Sequence, residues 1–223
     1  MRILAILAAL VSFAFAPPLY ARQATDDHAP SPATALFSRE VDGDHGMGNP
    51  QAPVIVIQYG SVACPICARV NAQFLPTFKA KYVDTGKVRY IYRPMMTGNV
   101  AVAASGHLLA QCAGNDKYFA VIDAIMRRQD EMDQGGPPEQ YSNARQVLLD
   151  IAHSVGLNED QFDTCITNVK GIEALNDIND QALRAGVDAT PTFFVNGRKL
   201  MLRTGDIADL SQDFATALQP MLP

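Results

Sequence analysis

In Cys64-Pro65-Ile66-Cys67, two soft nucleophiles stand a short, fixed distance apart. Such a pair can close a small disulfide ring or supply part of a metal site. A structural metal would need further ligands, commonly a second such pair or two histidines. Cys112 and Cys165 stand alone, and His28, His45, His107 and His153 are scattered without ligand spacing. No metal and no cofactor is therefore expected. A purely structural bridge is also poorly motivated, because closing so short a loop removes little chain entropy. What remains is thiol–disulfide exchange, whose nucleophile is a thiolate.

The neighbouring residues are arranged to favour that thiolate. Val54-Ile55-Val56-Ile57-Gln58-Tyr59 reads as a strand, and the residues after the pair read as a helix over 65–81. Pro65 falls in the first helical turn, where a missing N–H costs nothing. Cys64 then sits at the helix N-terminus, facing unpaired N–H groups and the positive end of the dipole. Cys64 is accordingly the expected nucleophile, and Cys67, one turn inside, the buried resolving thiol. Ile66 brings neither charge nor donor, so a lowered Cys64 pKa is expected to rest on the helix terminus alone.

Strand 54–59, helix 65–81 and strand 87–93 form a βαβ unit with parallel strands and a right-handed crossover. The pattern then turns helical: Val100 to Cys112, Asp116 to Gln129, Tyr141 to Val155 and Glu159 to Thr167, with a Gly-Gly-Pro-Pro loop at 135–138. Ile172 to Ala185 is a further helix, ended by Gly186. Thr192 to Val195, the turn Asn196-Gly197 and Arg198 to Leu202 read as a hairpin, and Asp206 caps a last helix to about Leu218. This order predicts an α/β chain: a small mixed sheet covered by helices, interrupted after its second strand by a helical block folded over one side of the cysteine pair. Pro191, opening an apolar strand after a short turn, is a cis-proline candidate. In this arrangement it would face the cysteines and let Thr190 offer backbone groups to a substrate strand.

The first residues bear on compartment. Met1-Arg2 precedes an apolar run from Ile3 to Ala16, the length of a signal-peptide core rather than of a spanning helix. Residues 1–21 are read as a cleaved leader, an uncleaved membrane anchor being the alternative, and the chain as exported to an oxidising compartment. The even count of four cysteines suits disulfides there. Residues 22–47, rich in Pro, Asp, His, Gly and Ala, read as a flexible arm that could dock near Phe37, with the compact part starting at Gly48. The net charge of −5 and the lack of a basic cluster argue against nucleic acid as a partner.

Three stretches together resemble the DsbA-like thiol–disulfide oxidoreductases: Gly48-Asn49-Pro50-Gln51-Ala52-Pro53-Val54, Cys64-Pro65-Ile66-Cys67, and Thr190-Pro191-Thr192-Phe193-Phe194-Val195-Asn196-Gly197. The likeness runs from about Gly48 to Leu218. It implies a thioredoxin fold with an inserted helical domain, here 48–97 and 171–223 with the insertion at 98–170. It further implies that Pro191 is cis, that Cys64 attacks, and that the protein passes its disulfide to reduced or unfolded exported proteins in the periplasm. A quinone-linked membrane oxidase would reoxidise the pair. Three positions depart from well-known relatives: Ile66 replaces a histidine that stabilises the reduced state, Gln58 replaces a buried glutamate, and Thr190 recurs in isomerases too. A reductase or isomerase held reduced is thus the alternative. An isomerase of this fold usually adds an oligomerisation segment, and residues 22–47 lack heptads, so a monomer is expected.

Cys112 and Cys165 could be two unrelated buried thiols or a structural disulfide. Export favours the bridge, as does the resemblance, since several relatives carry paired cysteines in these helices. His107 reads as a packed histidine, Arg89 and Arg93 as facing solvent or pairing with acids, and Met95-Met96 as core or as an apolar surface near the site.

Overall fold

The computed structural model describes residues 36–132 and 142–222. Residues 1–21, read above as a leader, the part of the expected arm before residue 36, Tyr141 and the loop expected at 135–138 lie outside the described residues.

The strands β1 (His45–Met47), β2 (Val54–Gly60), β3 (Val88–Pro94), β4 (Thr192–Val195) and β5 (Arg198–Lys199) form one sheet in the order β1-β3-β2-β4-β5. β2 and β3 run parallel with Val56 opposite Tyr90, and β4 lies antiparallel to β2 with Thr192 opposite Tyr59. The helix between them, α1 (65–83), is α-helical at Pro65–Arg69 and Leu75–Phe78 and widens into π turns at Val70–Phe74 and Lys79–Val83. The first wide turn directly precedes Pro76, whose missing N–H and ring cannot fit a regular ladder. The remaining helices are α2 (Val100–Cys112), α3 (Asn115–Arg127), α4 (Gln129–Met132), α5 (Ser142–Ser154), α6 (Glu159–Ile166), α7 (Val169–Arg184) and α8 (Ile207–Leu218).

Some boundaries differ from the sequence reading. The helix expected to run through Gln129 breaks at Arg128, whose φ of −109° and ψ of 18° leave the helical basin, and Gln129 starts a new turn. α7 begins earlier than Ile172 because the Asn168 side chain caps it, accepting from Gly171 N at 3.1 Å. The hairpin turns at Asn196-Gly197, both with positive φ, but β5 stops at Lys199, and Met201 and Leu202 are exposed.

Strand alternation divides the interior between two faces. Val54, Val56, Val88, Tyr90, Tyr92, Phe193 and Val195 pack with Cys67 and Phe74 of α1 and Phe214 of α8. Ile57, Tyr59, Ile91 and Phe194 pack on the other face with Phe37, Ala182 and Val187.

Residues 36–47 correct the expectation of a flexible arm up to residue 47. β1 adds an antiparallel edge to β3, and the Phe37 ring stacks on Phe194 with centroids 4.0 Å apart. Arg93, only 2% exposed, pairs with Asp44 at 2.6 Å. It also donates to the carbonyls of Leu36 and Arg39 and to Tyr59 Oη. Arg89 pairs with Glu40 at 2.7 Å. Arg93 thus does meet an acid, but in the interior. Asp44, Leu36 and Arg39 lie about fifty positions away in the chain, a separation that local composition cannot reveal.

Cys112 at the end of α2 and Cys165 on α6 are joined by a disulfide with Cα atoms 6.1 Å apart. His107 is fully buried on α2, and burial pushes its pKa down to about 3. Met95 is buried with the Phe37 cluster, while the half-buried Met96 packs on the opposite core.

Candidate active site

β2 ends at Gly60, and the loop Ser61-Val62-Ala63 carries the chain to α1. Cys64 occupies the N-cap position with φ −92° and ψ 119°, Pro65 follows in the first turn, and Ala68 N closes that turn on Cys64 O at 3.1 Å. Both cysteines are reduced. Cys64 is 7% exposed and Cys67 not at all, so the leading thiol is more accessible but far from open, whereas Ile66 between them is 42% exposed. The Thr190–Pro191 peptide bond is cis, and Cys64 Sγ lies 3.4 Å from Thr190 O, to which its thiol can donate.

The two thiols are driven apart in acidity. Cys64 is lowered to about 5, chiefly because the Cys67 thiol donates to its sulfur. Burial opposes this, while the Thr190 side chain and the N–H groups of Cys67 and Ile66 add to it. Cys67 is raised, first by burial, then by committing its proton to Cys64 and by the nearby Cys64 charge. The expectation that the helix terminus acts alone is therefore corrected: a neighbouring thiol and a loop from the far end of the chain stabilise the anion as well, as donors to the charged form do.

Beneath Cys67 the sheet supplies Gln58, Tyr90 and Tyr92, all buried. Tyr90 Oη donates to Gln58 Oε1, so that amide is already engaged. Burial, and behind it the charge at Cys67, raises both tyrosine pKa values. Both hydroxyls stay protonated across the working range.

Three residues that the sequence reading did not single out hold the loop. Ser61 Oγ donates to Thr97 O at 2.8 Å and accepts from Ala63 N at 3.2 Å. From α4, Gln129 Nε2 donates to Val62 O at 2.5 Å and to Cys64 O at 3.1 Å. Thr97 Oγ1 lies 2.6 Å from Thr190 Oγ1. Gly98 beside it has φ +78°, and a Cβ there would fall 2.4 Å from Ala63 O, so the segment seats against the loop only as glycine. The sequence carried one hint of this, the Gly98-Asn99 step before α2; Ser61 and Gln129 carried none. Cys112 and Cys165 belong to the helical block and do not join this cluster.

A reduced pair at the start of the helix after the first parallel strand, faced by a cis-proline loop, defines a dithiol protein of thioredoxin fold with helices inserted after β3. The chain belongs to the thioredoxin family, whose model (Thioredoxin_4) matches residues 40–212, and within it to the DsbA-like proteins. Alpha-DsbA1 of Wolbachia pipientis superposes with a TM-score of 0.73 at 25% identity, over 85% of this chain and 95% of that one. BdbD of Bacillus subtilis shares the fold with a TM-score of 0.67 at 18% identity, over 82% and 97%. A Rickettsia conorii relative named "Putative protein-disulfide oxidoreductase" is 33% identical over 159 residues, 70% of this chain and 54% of the relative. The chain thus spans about half the length of the Rickettsia proteins it matches.

Proposed function

We propose that this chain is an exported thiol–disulfide oxidoreductase that gives disulfides to reduced or unfolded secreted or periplasmic proteins. In the oxidised form a substrate thiolate attacks Cys64 Sγ. A substrate–Cys64 disulfide forms, the Cys64–Cys67 bond breaks, and Cys67 leaves with the electron pair and takes up a proton. A second substrate thiolate then attacks the substrate sulfur, closing the substrate disulfide and expelling Cys64 as thiolate. Two electrons have passed to the protein and one protein disulfide has been made.

The reading rests on the opposed acidities of the pair. A sulfur lowered to about 5 is a good leaving group in the release step, and its anion favours the reduced state, which makes the disulfide form oxidising. Cys67, protonated and buried, returns to attack only when the mixed disulfide has no other outlet. Thr190 and the cis Pro191 would bind an extended substrate strand through backbone hydrogen bonds. The thioredoxin-like part is taken as 48–97 and 171–223 and the inserted helical domain as 98–170, with Cys112–Cys165 a structural bridge in the latter. The apolar run from Ile3 to Ala16 behind Arg2, read as the core of a leader at 1–21, supports export. A membrane quinone-linked oxidase would restore the disulfide, and the protein would act as a monomer without a cofactor.

The equilibrium reduction potential of Cys64–Cys67 against glutathione, with Cys112–Cys165 intact, tests this. A value approaching about −120 mV marks a disulfide donor, and one near about −270 mV a reductase or shuffling enzyme. Cys64→Ser should abolish exchange and Cys67→Ser should trap substrate on Cys64; the reverse pattern would overturn the assigned roles.

A further inference from the structure

Thr97 lies on the segment joining the sheet to the helical block, and this segment touches the end of β2, the loop before the dithiol, α7 and the cis-proline loop. Met95 N donates to Gly60 O at 2.8 Å, and Met96 N to Asn179 Oδ1 of α7 at 3.1 Å. Thr97 O takes the Ser61 hydroxyl, and Gly98 rests against Ala63 O. The Thr97 backbone is thus fixed from several sides. Its hydroxyl meets that of Thr190 at 2.6 Å, the Thr190 residue whose carbonyl lies 3.4 Å from Cys64 Sγ.

Two hydroxyls at that distance share one proton in the gap and leave the other free. If Thr190 donated to Thr97, the Thr97 proton would need another acceptor, and no other partner of Thr97 Oγ1 is seen among the described residues. If Thr97 donates, the Thr190 proton is free to point at the sulfur anion, which is the acceptor in need. A donor that is itself a hydrogen-bond acceptor is polarised and donates more strongly.

We propose that Thr97 is a positioning residue of the dithiol site: its hydroxyl donates to Thr190 Oγ1 and so orders the Thr190 hydroxyl as a donor to the Cys64 thiolate. The inference deepens the proposed exchange function and rests on Cys64 being its nucleophile. It makes the arrangement dependent on redox state. When the cysteines are joined there is no anion, and nothing draws the Thr190 proton toward sulfur. When the disulfide opens, the row Thr97 to Thr190 to Cys64 aligns. The titratable groups acting on Cys64 from the packed elements are Cys67 and Tyr92, both protonated over the relevant range.

The test is the pH dependence of Cys64 alkylation in the reduced full-length protein. Four variants are compared with the unaltered chain: Thr97→Val, Thr97→Ser, Thr190→Val and Thr97→Val with Thr190→Val. Thr97→Val should raise the half-reaction pH by about half a unit, roughly a threefold loss of thiolate below both midpoints, while Thr97→Ser should restore it. Thr190→Val should raise it further, and adding Thr97→Val to that variant should change nothing more, because Thr97 acts only through Thr190. An unchanged midpoint in Thr97→Val, or an equal rise in the presence and absence of the Thr190 hydroxyl, overturns the inference. A midpoint near the free-cysteine value of about 8.5 in the unaltered chain would instead overturn the reading of Cys64 itself.

Discussion

Raising the pH from 5.5 to 8.5 should lower the reduction potential of the Cys64–Cys67 couple by about 30 mV per unit, half the slope of an ordinary dithiol. The reason is proton count. Between the Cys64 midpoint of about 5 and the raised Cys67 value, reduction takes up two electrons but one proton, since Cys64 is released as thiolate and Cys67 as thiol. Below pH 5 both sulfurs are protonated and the slope should steepen to about 59 mV per unit. Lowering the thiol from about 8.5 to about 5 stabilises the reduced form at pH 7 by just under 3 kcal/mol at face value, and solvent access to Sγ trims this to about 2. Two kcal/mol across a two-electron couple is about 40 mV of added oxidising power. The sign can be checked in stability. A depressed thiol pKa contributes folding stability that is fully present above about 8.5, the unfolded value, and is lost as pH falls through about 5. The melting temperature of the reduced form should therefore fall relative to that of the oxidised form as pH drops from 8.5 to 5. Redox equilibration at each pH, read by mass after alkylation, gives the slope. A slope of about 59 mV per unit throughout pH 6–8.5 would mean that Cys64 behaves as an ordinary thiol and would refute the reasoning.

Other expectations follow from packing. Arg93→Met removes the guanidinium that holds Asp44 and the carbonyls of Leu36 and Arg39, leaving a buried acid unpaired. It should cost about 3–5 kcal/mol in urea unfolding and open residues 36–47 to proteolysis. Replacing Cys112 and Cys165 together by serine opens a 53-residue separation and should cost about 4 kcal/mol in the chain-entropy account, with exchange activity kept at temperatures well below melting. Gln129→Leu strips the donor from the buried Val62 carbonyl and should cost about 1–3 kcal/mol by denaturant titration.

The dithiol and its helix were legible because their signals are local: alternation in β2, Pro65 in a first turn, and cysteines two apart. The cis proline needed the family resemblance, since X–Pro bonds are mostly trans and nothing near Pro191 in sequence names its partner. What stayed hidden depends on contacts between distant segments. Thr97 and Gln129 look like ordinary polar residues at a helix approach and a helix end, and they matter only because the fold lays Thr97 against Ser61 and Thr190 and Gln129 against Val62. Docking near Phe37 is legible in the sequence and holds, whereas the order of 36–47 around it is not, because Asp44 and Leu36 find Arg93 across a strand pairing that no short window contains. The first wide turn of α1 could have been suspected from Pro76, but the packing of Phe74 and Phe78 on Phe214 joins segments far apart in the chain.

Phe37 lies on the face of the sheet that α1 does not cover, while Cys67 is packed into the opposite one. A leash entering through residues 36–47 would grip the molecule from behind, with β1 and the Arg93 cluster taking the pull before it reached the loop at Ser61. The dithiol would then face outward and could swing through the surrounding space without the leash crossing its approach. An N-terminal fusion or surface attachment should be well tolerated, whereas one built onto the Thr97 side would block the mouth of the site.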